Sequence, residues 1–197
     1  MPVVKKEKVR EDLIDIARNV FGKYGYRKTT MDDIAIAARR GKTSLYYYYS
    51  SKEEIFQAVI EKEAELLKSN IINAISGENN PEDKMRAYVI ARMLTLNSLS
   101  VFYEAIRHEL LDYLDFINQA RKHFDREETG IVEQILCEGI EKGVFSVSDS
   151  GLSADTIVTV LKGLELQFFV YNTNGTDIQT KLKEIVNLII NGIKRYE

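Results

Sequence analysis

Apolar residues recur along this chain at the spacing of α-helices. Leu13, Ala17, Val20, Phe21 and Tyr24 lie three or four positions apart, the stripe of an amphipathic helix that Gly25 can stop. Thr30 and Asp33 have the form of a capping box, in which the hydroxyl caps a free backbone amide and the carboxylate reaches back. They open a short helix that turns Ile34, Ala35 and Ala38 inward. A tight turn at Arg39-Arg40-Gly41 leads to a second short helix from Lys42, with Leu45 and Tyr49 on its inner side. Ser51-Lys52-Glu53-Glu54 repeats the capping signature and starts a longer helix through Ile55, Val59, Leu66 and Leu67 to Ile75, closed by Gly77. Asn80-Pro81 opens another, since proline at the first helical position gives up an amide that has no partner anyway. From there to Gly143 the pattern predicts helices broken near Asn97–Ser100 and Tyr113–Phe116, then a loop to Gly151.

Two helices follow, over 153–173 and 177–195, turning at Asn174-Gly175 with a capping box from Thr176 to Gln179. Both are apolar on more than one face. One face can pack on the protein's own body; the other needs cover, and a second copy of the same pair would make a four-helix interface. Leu161, Leu164, Phe168, Ile185, Ile189 and Ile193 are the candidates for that homodimer contact, with deep burial in a monomer as the competing reading. The run Leu45-Tyr46-Tyr47-Tyr48-Tyr49 is β-prone by composition, but the capping signals on either side leave little room for a sheet partner, so it reads as helix. The fold class is all-α.

Composition narrows the chemistry. With 197 residues, 45% of them hydrophobic, the chain can bury a real core. One cysteine, Cys137, excludes an intramolecular disulfide and a multi-cysteine metal site. Lys162 and Glu165 interrupt the best apolar run, Ile157 to Tyr171, and no apolar stretch backs the basic start MPVVKKEKVRED. A soluble cytoplasmic protein without membrane contact is expected. Residues 1–52 carry twelve Lys and Arg against six Asp and Glu, a net of +6, while the remainder carries −9. A basic head on an acidic body suits a polyanionic partner for the head, or else basic residues that merely solvate helices.

The spacing from Thr29 to Lys52 decides between them. Two short helices meeting over small alanines make a helix-turn-helix. The second would show Lys42, Thr43, Ser44, Tyr47 and Tyr48 at its N-terminal end, the end that enters a major groove. Hydroxyls can meet base edges or phosphates, and Lys42 can neutralise a phosphate.

These residues resemble the tetracycline-repressor-like (TetR) transcriptional regulators. The match runs from Leu13 to about Val59: the stripe ending Val20-Phe21 and Tyr24-Gly25-Tyr26, then Thr29 to Ala35, then Leu45 to Tyr49 and Ser51 to Glu54. Glu138 to Phe145 looks like the end of the family's seventh helix. The resemblance implies a DNA-binding domain at 1–52 and an effector-binding, dimerising domain at 53–197. It implies a repressor that binds a palindromic operator in double-stranded DNA as a homodimer. Thr30, Tyr46, Tyr48 and Lys52 would contact phosphates, and Lys42, Thr43, Ser44 and Tyr47 would face bases. Where the family usually has Gly-Val-Ser in the turn, this chain has Arg39-Arg40-Gly41. That puts the turn's geometry in question and adds two charges that could lie along the DNA.

The resemblance also implies a small-molecule effector, apolar in character, held in the helical body. Met93, Phe102, Tyr103, Phe124 and Phe168 could line such a pocket or be plain core. Arg107 and His108 could hold its polar end or be solvated. No cofactor, metal or catalytic residue is expected: the two histidines lack metal-ligand spacing, and there is no glycine-rich phosphate loop or nucleophile elbow. The alternative is a helical ligand- or protein-binding module without sequence-specific DNA binding.

Overall fold

The computed structural model describes residues 2–99, 114–165 and 178–195, with side chains over 6–99, 119, 121–165 and 179–195. Among the described residues there are eight helices and no strand: α1 (Pro2–Tyr24), α2 (Met31–Ala37), α3 (Lys42–Tyr48), α4 (Lys52–Ser76), α5 (Pro81–Ser98), α6 (Leu114–Glu141), α7 (Ser150–Glu165) and α8 (Ile178–Ile193). The all-α expectation holds. Phe102, Tyr103, Arg107, His108, Phe168 and the Asn174-Gly175 turn lie outside the described residues. The chain divides into two compact units, residues 1–64 with 99–121, and residues 65–98 with 122–197. The expected boundary at 52/53 falls at the start of α4, inside the first unit.

In the first unit, Leu13, Ala17, Val20 and Phe21 are buried along α1. Tyr24, expected to continue that stripe, is instead 51% exposed. Gly25 ends α1 at φ +78, with its amide on Phe21 O at 2.8 Å, and the left-handed turn swings the next residue inward. Tyr26 therefore takes the core place, packing on Phe56 with ring centroids 4.5 Å apart, and Phe56 meets Phe21 at 5.0 Å. The α4 start also differs in detail from a capping box. Ser51 Oγ accepts from the Glu54 amide at 3.1 Å, but the Glu54 carboxylate binds Ser50, accepting from its amide and hydroxyl, both at 2.6 Å.

In the second unit, Asn80 caps α5 by accepting from the Glu82 amide at 2.8 Å. α6 is continuous through Phe116, so the break expected at Tyr113–Phe116 is absent from 114 onward; no glycine or proline is there to impose one. It ends where expected, with Gly143 at φ +70 and the Val144 amide reaching Gly139 O at 2.8 Å. α7 begins three residues before the expected 153, because Asp149 supplies the cap, its Oδ1 accepting from the Leu152 amide at 2.9 Å. Phe145 and Lys194 form an isolated antiparallel bridge, which ties the α6–α7 loop to the end of α8.

Candidate nucleic-acid interface

Thr30 caps α2 as the sequence predicts. Its hydroxyl accepts from the Asp33 amide at 3.2 Å and its own amide donates to Asp33 Oδ2 at 2.8 Å. The Thr30 hydroxyl and amide both hold the Asp33 carboxyl below its ordinary range. Ile34 and Ala35 are buried; Ala38 is half-buried. At the far end the Arg40 amide bonds Ala35 O at 2.9 Å and the Arg39 amide bonds Ile36 O at 3.0 Å, a Schellman closure. The left-handed residue that this closure needs is Arg39, at φ 52. Gly41 has an extended backbone, φ −68 and ψ 147, and serves as the N-cap of α3. The turn thus keeps its form with arginine, not glycine, in the demanding position.

Leu45 and Tyr49 anchor α3 in the core, as expected. The Tyr49 hydroxyl donates to Arg10 O at 3.4 Å, and the Arg10 guanidinium lies over its ring at 4.9 Å. Burial raises the phenol's pKa. With that side fixed, Lys42, Thr43, Tyr46 and Tyr47 are exposed, and Ser44 and Tyr48 are half-buried. Tyr47 is the most prominent of the tyrosines at 67% exposed, its ring 5.0 Å from that of Tyr48 and nearly perpendicular to it. Lys6 Nζ sits over the Tyr47 ring at 4.9 Å. Lys6 was not a sequence candidate; the lysine-rich start of α1 was its only signal. Arg39 and Arg40 are exposed.

Two lysines arrive with internal partners. Lys42 Nζ pairs with Asp32 at 2.9 Å, a contact that raises the lysine's pKa. Lys52 Nζ donates to Tyr26 O at 3.0 Å and lies over the Tyr26 ring at 4.3 Å, which makes it a strut for the loop between α1 and α2.

The body holds a cluster that the sequence did not reveal. Arg92 of α5 is fully buried between Glu128 of α6, 2.6 Å from Nε, and Glu165 of α7, bonded to Nη2. Although burial disfavours its charge, the two carboxylates hold the guanidinium protonated well beyond its ordinary range. The Tyr88 hydroxyl donates to Glu128 at 2.8 Å. Met93 and Phe124 are buried, Met93 against Leu182 with Leu164 and Ile185 alongside. Of the candidate dimer residues, Leu161 and Ile193 are buried within the protomer, while Leu164, Ile185 and Ile189 are half-buried. Among the described side chains of α7 and α8, Leu188, Val160 and Leu152, which were not candidates, are the large apolar ones that are exposed.

A basic three-helix head that presents a short, tyrosine-rich third helix is a helix-turn-helix DNA-binding unit. Residues 13–59 match the model for bacterial regulatory proteins of the tetR family. The activator FasR of Mycolicibacterium smegmatis is 28% identical over 162 residues, covering 81% of this chain and 68% of that one. The repressor KstR2 of Mycobacterium tuberculosis is 24% identical over 147 residues, covering 69% and 68%. Bacillus subtilis FadR, solved in complex with stearoyl-CoA, superimposes with a TM-score of 0.76 at 20% identity, over 92% of this chain and 97% of that one. Residues 13–59 thus carry the tetR-family DNA-binding segment, and the chain is similar over most of its length to DNA-binding transcriptional regulators. Among the described residues no helix is long and apolar enough to cross a membrane.

Proposed function

We infer that the chain acts in the cytoplasm as a homodimeric repressor of an inverted-repeat operator, released or engaged by a small apolar effector held in the helical body. The observation that carries the DNA half is the two-sided build of α3: Leu45 and Tyr49 lock one side, and Lys42, Thr43 and Tyr47 stand free of the core on the other. A two-fold dimer sets its reading helices on half-sites about 34–36 Å apart. Lys42, Thr43, Ser44 and Tyr47 face the bases. Thr30, Arg39, Arg40, Tyr46, Tyr48 and Lys52 lie toward the phosphates, Thr30 and Lys52 chiefly by fixing the elements that carry the others. Repression follows the sense of KstR2. The apolar effector is supported by the acyl-CoA bound to FadR, a relative in fold.

Fluorescence anisotropy on inverted-repeat and scrambled duplexes tests this reading. Tyr47→Ala should cost about 1–3 kcal/mol on the preferred site and relax its base preference. Arg40→Ala should weaken all sequences alike and make the salt dependence shallower by about one unit of slope. Equal loss on every sequence from Tyr47→Ala would make Tyr47 a backbone contact. No loss from either variant, with the fold intact, would leave a helical module without DNA recognition.

A further inference from the structure

The buried cluster around Glu128 is unexplained by DNA binding. Glu128 Oε1 already takes two donors, Arg92 Nε at 2.6 Å and the Tyr88 hydroxyl at 2.8 Å. Oε2 is equally buried and takes none. A carboxylate oxygen withdrawn from water without a donor is costly, and a bundle that needed only to pin α5 to α6 would do as well with an apolar pair. A buried polar atom left without a partner calls for an explanation. Beside the cluster is an adaptable apolar wall: the Met93 sulfur meets Arg92 Nη1 at 3.7 Å, and the Met93 side chain packs on Leu182.

We propose that Glu128 anchors the effector, its Oε2 accepting a hydrogen bond from an N–H or O–H group at one end of an otherwise apolar molecule. This deepens the effector part of the proposed function and rests on it. The chemistry is selective. An amine or an alcohol brings a donor, and an ammonium adds charge to the bond. A fatty carboxylate brings only acceptors, and would set oxygen against oxygen. The effector end that meets Glu128 is therefore an amine or hydroxyl, whatever apolar frame carries it.

The test titrates the full chain with octylamine, 1-octanol and octanoate by calorimetry, in the wild type and in Glu128→Gln. The glutamine keeps an oxygen for Arg92 and Tyr88 and puts an amide NH2 where Oε2 was. In the wild type, octylamine and octanol should bind about tenfold or more tighter than octanoate. In Glu128→Gln the order should reverse. The wild-type ranking stands without the variant, should the variant fail to fold. Octanoate binding as tightly as the donors, an unchanged order in Glu128→Gln, or no binding of any of the three overturns the proposal. The titrations contain no DNA. A wild type that still holds its inverted repeat while rejecting all three probes loses only this assignment, and a chain that binds octylamine but no DNA loses the regulator reading instead.

Discussion

Arg39 occupies a backbone position that L-residues adopt at a cost of about 1–2 kcal/mol, because the side chain crowds its own carbonyl. Glycine escapes that crowding but loses more freedom on folding, by about 0.5–1 kcal/mol. Arg39→Gly should therefore stabilise the head by up to about 1 kcal/mol and raise the melting temperature by about 2 °C. Arg40→Gly, one residue on and without a left-handed backbone, gains no such relief and should lower it. A melting point that falls in both would show that the Arg39 side chain makes up its cost elsewhere. At this scale the sequence was informative where chemistry is local. Thr30 and Asp33 cap as their spacing says, and Leu45 and Tyr49 turn inward. It was silent on Lys52 and Lys42, because neither the Tyr26 carbonyl nor the Asp32 carboxylate that holds them is signalled by any motif.

At the scale of elements, α6 and its exit show how one glycine can be indispensable and another spare. A Cβ on Gly139 would lie 1.9 Å from the Phe145 ring, which is itself buried. The backbone forbids retreat, since the Val144 and Phe145 amides both bond Gly139 O, at 2.8 and 3.0 Å. Gly139→Ala should cost at least about 2 kcal/mol through overpacking. Gly130, in the middle of the same helix, has nothing within 4 Å of an added Cβ, so Gly130→Ala should stabilise by about 0.5–1 kcal/mol. Opposite shifts in urea midpoint for the two variants are the expected result; a harmless Gly139→Ala would mean the loop can slide. Helix ends marked by glycine or proline were legible, as at Gly25, Pro81 and Gly143. The start of α7 was not, because an aspartate in a polar loop looks the same whether it caps or is merely solvated.

Across the whole molecule, the two-faced character of the last helices was legible, but not which residue belongs to which face. Leu161 and Ile193 are buried within the protomer, whereas Leu188 is 65% and Val160 50% exposed. If the homodimer forms on the exposed side, Leu188→Arg or Val160→Arg should bring the sedimenting mass down to one chain and leave the helix content unchanged. Leu161→Arg should instead unfold the unit. A wild type that sediments as one chain at micromolar concentration removes the dimer and the inverted repeat together. The Arg92 cluster was illegible for a different reason. Its members lie 36 and 73 residues apart on three helices, and each alone looks like an ordinary surface charge.

The Lys42–Asp32 pair has a consequence for how the head would search a chromosome. Asp32 is a tethered counterion only ten residues away, so its local concentration does not fall on dilution or change when salt is added. Lys42 can turn to a base only by leaving Asp32, and that exchange costs the same wherever the head meets DNA. The pair therefore lowers affinity for every site alike and cancels when operator and random sequence are compared. With about 10⁶–10⁹ random sites competing in a genome, discrimination falls to the contacts that differ between sites, those made to base edges.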